Sequence, residues 1–112
     1  MATKGEIENA LKMIAGKLDD PKLKERFMNF NKTIQFNFKD AGLNYNLAFE
    51  KGTVKGIKEG AVEKPDVSVE MDSDTFIAIL KKEINPINAY SAGKIKVNGE
   101  MSDLLKLQKL LG

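Results

Sequence analysis

Few side chains in this sequence could do chemistry, and the missing types narrow the field first. There is no histidine and no cysteine. The commonest general base and the commonest metal ligand are therefore absent. Thiolate chemistry and disulfides are absent with them. Carboxylates, hydroxyls and lysines remain. Asp72, Ser73, Asp74 and Thr75 stand in a row, and a hydroxyl beside a carboxylate is the start of a nucleophile–base pair. The same four residues lead into the apolar run Phe76–Leu80, which is the pattern of a capped helix start. They are read as capping residues. No other nucleophile–base set is present, so the expectation is a protein that is not an enzyme, with no cofactor and no metal. Lys81, Lys82, Lys94 and Lys96 could attract a phosphate group or an anionic membrane, although scattered lysines are ordinary solvated surface. Tyr45, Tyr90 and Gln108 could offer polar atoms to a ligand. The plainer reading sends the tyrosine hydroxyls to water and bonds Gln108 to a backbone carbonyl.

The chain has 112 residues, which is the size of one domain, residues 1–112. Such a chain can bury roughly two-thirds of its unfolded surface. Its 18 basic and 16 acidic residues give a net charge of +2. The two signs are interleaved, so no nucleic-acid footprint is expected. The longest apolar run, Phe76–Leu80, is far too short to span a bilayer. The start, MATKGEIEN, lacks the apolar centre of a signal peptide. The end, Leu-Leu-Gly, carries no peroxisomal or retention address. A cytoplasmic protein is expected.

The elements that must position these groups follow from periodicity. Residues 5–18 place Ile7, Ala10, Leu11, Ile14, Ala15 and Leu18 on one helical face. Asp20 and Pro21 cap and start a second helix, about residues 21–30, with Leu23, Phe27 and Phe30 pointing one way. At Thr33 the period becomes two. Ile34, Phe36 and Phe38 alternate with polar neighbours, and after the turn Asp40-Ala41-Gly42 so do Tyr45, Leu47 and Phe49. Residues 53–58 are less regular, because Val54 and Ile57 have opposite parity. That predicts a bulge or an edge strand. Residues 59–65 read as a loop. Val67–Met71 and Lys94–Asn98 alternate cleanly. Residues 100–111 form a last helix with Met101, Leu104, Leu105, Leu107 and Leu111 on an apolar arc that includes Gln108. Leu110 is expected near its polar side. Four of five strands have one apolar and one polar face, whereas a sheet covered on both sides would read as continuous apolar runs. All helices should therefore lie on one face, in a two-layer α+β domain.

One stretch carries more than periodicity. Pro65-Asp66-Val67, the Phe76–Leu80 helix, Ile84-Asn85-Pro86, Ala89-Tyr90, Gly93-Lys94-Ile95-Lys96-Val97 and Leu105-Lys106-Leu107-Gln108 follow one another in an order and spacing that resembles the sterol carrier protein type 2 family. The upstream helices and meander suit the same layout. The resemblance implies a five-stranded mixed sheet with about five helices packed on one face and an apolar tunnel between the layers. It implies non-catalytic binding or transfer of a sterol, fatty acid, fatty acyl-CoA or isoprenoid. Lys82 stands where that family often has a helix-ending glycine. A left-handed lysine costs roughly 1–2 kcal/mol, so the helix is expected to end differently here. Longer members carry a further C-terminal segment that helps close the tunnel, so this end is expected to differ in shape.

The candidate tunnel walls are Phe36, Phe38, Tyr45, Leu47 and Phe49 from the sheet. Phe76, Ile79, Leu80, Ile84, Ile87 and Tyr90 join them from the central stretch, and Leu104, Leu107, Gln108 and Leu111 from the last helix. Each is equally at home in an ordinary core. A bulky Leu47→Trp is expected to lower lipid uptake. The partners expected are a lipid ligand, at most transient membrane-surface contact, no nucleic acid, and a monomer or homodimer. The alternative is an accessory interaction or dimerisation module serving an enzyme or a lipid or quinone pathway.

Overall fold

A computed structural model describes the whole chain, Met1–Gly112. Two helices, α1 (Lys4–Lys17) and α2 (Pro21–Phe27), precede the meander β1 (Thr33–Phe38), β2 (Leu43–Glu50) and β3 (Thr53–Glu59). Then come β4 (Val67–Glu70), α3 (Ser73–Leu80), α4 (Pro86–Ser91), β5 (Lys96–Asn98) and α5 (Met101–Leu111). The sheet order is β3-β2-β1-β4-β5. β1 and β4 run parallel and the other pairs antiparallel, so the sheet is mixed.

Alternation decides which face is covered. The register pairs Ile34 with Leu47 and Val67, and Phe36 with Tyr45 and Val69. All six are buried, as are Phe38 and Phe49. The helices meet this face with Ile7, Leu11 and Ile14 of α1, Phe27 of α2, and Phe76 and Ile79 of α3, every one of them buried. Asn37, Asn44, Asn46 and Ser68 share the opposite face and stay half-exposed. Gln35 belongs to that polar face yet is buried. The 59–65 loop folds over it, and Val62 N donates to Gln35 Oε1 at 2.8 Å. β3 is both bulged and at the edge: the β2 pairing shifts register between Ala48 and Phe49.

Several local expectations need correction. α2 stops at Phe27 rather than at residue 30, and Phe30 reaches its buried place through a turn bonded to Phe27 O. Asp72 sits at the N-cap of α3 but makes no capping bond. The carboxylate of Asp40 does that work from the β1–β2 turn: its Oδ1 accepts from Ser73 N at 2.9 Å and its Oδ2 from Ser73 Oγ at 2.6 Å. Burial raises the Asp40 pKa, but these bonds and backbone N–H groups outweigh it and hold the carboxyl below its ordinary value. Lys82 does adopt a left-handed conformation, with φ 62°. Lys82 N donates to Ile79 O and Glu83 N to Ala78 O. These two bonds satisfy the last carbonyls of α3 and hold the strained residue. α4 ends in the same way with Gly93 at φ 78° and Lys94 N bonded to Ala89 O. That cap uses up the first residues of the expected strand, so β5 begins at Lys96.

Leu110 is not on a polar side. It is fully buried, together with Leu107 and Asp103. At about 100° per residue these three share one flank of α5. The flank carrying Met101, Leu104, Gln108 and Leu111 points elsewhere.

Candidate functional site: an apolar groove at the β5 edge

The second flank of α5 faces a groove of about 240 Å³. Ile95 and Val97 form its floor, Pro86, Ile87 and Tyr90 of α4 one wall, and Met101, Leu104, Leu107, Gln108 and Leu111 of α5 the other. Ile87, Tyr90 and Met101 are exposed at its rim, so the groove is open to solvent. Three residues set where the walls stand. Asn85 caps α4, with Oδ1 accepting from Ile87 N at 2.8 Å, and Pro86 pre-sets the first turn. Gly99, at φ 153°, lets the start of α5 approach β4. A Cβ there would lie 3.2 Å from Val67 Cγ2 and 3.3 Å from Asp66 O.

Two lysines fasten α5 at its ends. Lys32 Nζ lies 2.6 Å from Asp103 Oδ2, and this hydrogen bond raises the lysine pKa. Asp103 is buried, and Lys32 supplies the charge that a buried carboxylate requires. At the other end Lys17 Nζ donates to Leu110 O at 2.9 Å. Burial lowers the Lys17 pKa, and the charge of Lys82 lowers it further. α4 is held more lightly: of its side chains only Ala89 is buried.

The expected wall residues fall into two groups. Ile87, Tyr90, Leu104, Leu107, Gln108 and Leu111 meet in the groove. Phe36, Phe38, Tyr45, Leu47, Phe49, Phe76 and Ile79 are buried between the layers away from it, and Leu80 and Ile84 pack half-buried against that core. The rings interlock there: Phe76 sits 5.0 Å from Phe38 and 5.5 Å from Phe36, centroid to centroid. Tyr45 OH donates to Glu8 Oε2 at 2.9 Å instead of reaching water. Desolvation and then that carboxylate raise its pKa strongly. Gln108 makes no side-chain hydrogen bond within the chain, so its amide is free at the groove wall. Pro86, Ile95, Val97 and Met101 also line the groove and were not among the expected wall residues. The parity of β5 carried the signal for two of them, since Ile95 and Val97 share the face that carries the core. No helix is long and apolar enough to cross a membrane.

A mixed sheet covered by helices on one face, with an apolar groove where the last strand meets the last two helices, defines a two-layer α+β domain of the sterol-carrier kind. Residues 8–112 match the model of the SCP-2 sterol transfer family, and the chain belongs to that family. Among curated relatives, hydroxysteroid dehydrogenase-like protein 2 of Bos taurus is 26% identical over 110 residues, which is 98% of this chain and 26% of that protein. The chain spans about a quarter or less of the curated relatives it matches. Among solved structures, the sterol carrier protein domain 2 of Helicoverpa armigera superposes with a TM-score of 0.76 at 22% identity, covering 95% of this chain and 85% of that one. The palmitated SCP2L2 of Aedes aegypti superposes at 0.67 and 19% identity, covering 93% and 92%. These two likenesses establish the fold.

Proposed function

We propose that this domain binds a lipid without transforming it, and that the hydrocarbon part lies in the groove between α4, β5 and α5. The observation that carries the reading is the groove itself: eight of its ten lining residues are hydrophobic and it opens to solvent. Each methylene moved from water to such a wall contributes about 0.8 kcal/mol. A long acyl chain therefore offers about 10 kcal/mol gross, before the ordering costs of binding. A sealed dry void of this size would cost about 6 kcal/mol at ~24 cal/mol per Å³. An open groove avoids most of that penalty because water can occupy it. The free amide of Gln108 suits a carboxylate or ester oxygen at the head of the chain. A fatty acid is the ligand best matched to these walls, in keeping with the palmitated state of the Aedes aegypti relative. Native mass spectrometry of freshly purified protein tests the reading. A co-purifying or added fatty acid should appear as a one-to-one adduct and raise the melting temperature. No adduct and no thermal shift with fatty acids, acyl-CoA or isoprenoids would end it.

A second reading is favoured by the alignment to a much longer dehydrogenase-like protein. In it the domain presents a hydrophobic substrate to an enzyme or joins two copies. Elution at dimer mass, unchanged by lipid, would favour that reading over the first.

A further inference from the structure

We infer that the groove takes a hydrocarbon chain of medium length, about eight to twelve carbons, and gains nothing from a longer one. This rests on the lipid-binding reading and deepens it by naming the length of the ligand. Met101, Leu104, Gln108 and Leu111 repeat along one flank of α5, so the groove runs along that helix. From Met101 to Leu111, at about 1.5 Å per residue, the wall is about 15 Å long. An extended hydrocarbon with C–C bonds of about 1.5 Å advances about 1.25 Å per carbon, so the whole wall matches about twelve carbons. Counted from Gln108, whose amide is free to meet a head group, the wall back to Met101 is about 10 Å, or about eight carbons. Volume agrees with length. A methylene fills roughly the space of one water in the liquid, ~30 Å³, so 240 Å³ holds about eight.

A longer chain has no covered path out of the groove. Inward, toward β1 and β2, the space between the layers is filled. Phe36, Phe38, Phe76 and Ile79 are at most 1% exposed, and the Phe38 and Phe76 rings lie 5.0 Å apart, centroid to centroid. A methylene could enter there only by displacing a ring from a packed core. At one end of the groove the start of α4 meets the residue after α5: a Cβ on Gly112 would lie 3.9 Å from Pro86 Cγ, in ordinary contact. At the other end Met101 is 71% exposed. Beyond it the backbone turns away through the exposed Glu100 and Gly99. Carbons past Met101 therefore lie in water, where they meet no apolar wall and add no affinity.

Native mass spectrometry of the full chain tests this, with an equimolar mixture of saturated fatty acids from eight to sixteen carbons, each below the concentration at which it aggregates. Affinity should rise about fourfold per methylene up to a break between about eight and twelve carbons. Beyond the break it should change by about twofold or less in total. Met101→Ala removes the outermost wall residue. It should move the break about three carbons shorter, since the next wall residue, Leu104, lies most of a turn inward. Leu105→Ala, at a site that is also exposed but is not a groove wall, should leave the break where it is. Affinity that keeps climbing at the same rate through sixteen carbons would overturn the length assignment and leave the groove reading standing. A break that ignores Met101→Ala, or one that moves with Leu105→Ala, would do the same. Adducts with no acid of any length would end both.

Discussion

Between β1–β2 and the helices α1, α2 and α3 the space separating the two layers is closed. Between β5 and the helices α4 and α5 it is open. Both ends are apolar, and the difference lies in which apolar residues they received. All six phenylalanines of the chain are at the closed end, in two ring clusters, Phe27–Phe30–Phe49 and Phe36–Phe38–Phe76. Flat rings pack edge to face and fill the gap between a sheet and a helix. The open end has Ile, Leu, Val, Met and Pro with a single tyrosine. Its two walls stand apart, with α5 fastened by Lys32 and Lys17 and α4 anchored mainly through Ala89. The closed end supplies stability, and the other end stays open to solvent.

The sharpest test of that contrast is Phe76→Ala. It removes a fully buried ring that touches both Phe36 and Phe38, and it should cost about 3–5 kcal/mol in urea unfolding. A loss below about 1 kcal/mol would mean that this end is not closed. A pair of tryptophan substitutions compares the ends directly. Leu104→Trp, in the groove, should weaken fatty-acid binding about tenfold, equivalent to ~1.4 kcal/mol, with little change in unfolding. From the sequence, Leu47→Trp is expected to lower lipid uptake. Because Leu47 is fully buried at the closed end, it should instead destabilise by about 1–3 kcal/mol through overpacking. The reverse pattern would exchange the roles of the two ends.

A smaller effect concerns the Asp40–Ser73 link, which ties the start of α3 to the β1–β2 turn. Ser73→Ala removes one hydrogen bond to a carboxylate, and Asp40 is exposed, so screening limits the loss to about 1 kcal/mol at neutral pH. The folded-state pKa of Asp40 is lowered. Its contribution is therefore complete above the ordinary aspartate value of about 3.9 and is lost as pH falls through the lower folded value. The difference between wild type and Ser73→Ala should accordingly shrink below about pH 4. A difference that grows in acid would contradict the assignment. The mildest change is Lys82→Gly. Relief of the left-handed lysine at the end of α3 should stabilise by about 1 kcal/mol, or about 4 °C in melting temperature. Unchanged stability would show that the terminal hydrogen bonds already absorb the strain.

Much of the fold was legible before any coordinates. The alternation of Ile34, Phe36 and Phe38 and of Tyr45, Leu47 and Phe49 named the covered face, because a strand presents every second residue to the same side. Asn85-Pro86 and Gly93 marked the two ends of α4. The site was only partly legible. The arc read for α5 held Met101, Leu104, Leu107, Gln108 and Leu111, which line the groove, but also Leu105, which is exposed, and it left out Leu110, which is buried. One helix here presents two apolar flanks, one to a packed neighbour and one to the groove, and periodicity reports only their sum. Asp40 as the cap of α3 was also invisible, because its partner is 33 residues away in sequence.

Local order along the chain was decided by the sequence alone: element types, their boundaries within a few residues, the buried side of most of them, and the family likeness. Whether a buried side became core or cavity wall was not. That outcome depends on how closely two layers approach at each point. The approach is set by ring size at one end, and by the lysine fastenings of α5 and the close passage at Gly99 at the other. These are relations between residues far apart in the chain, and no local pattern encodes them.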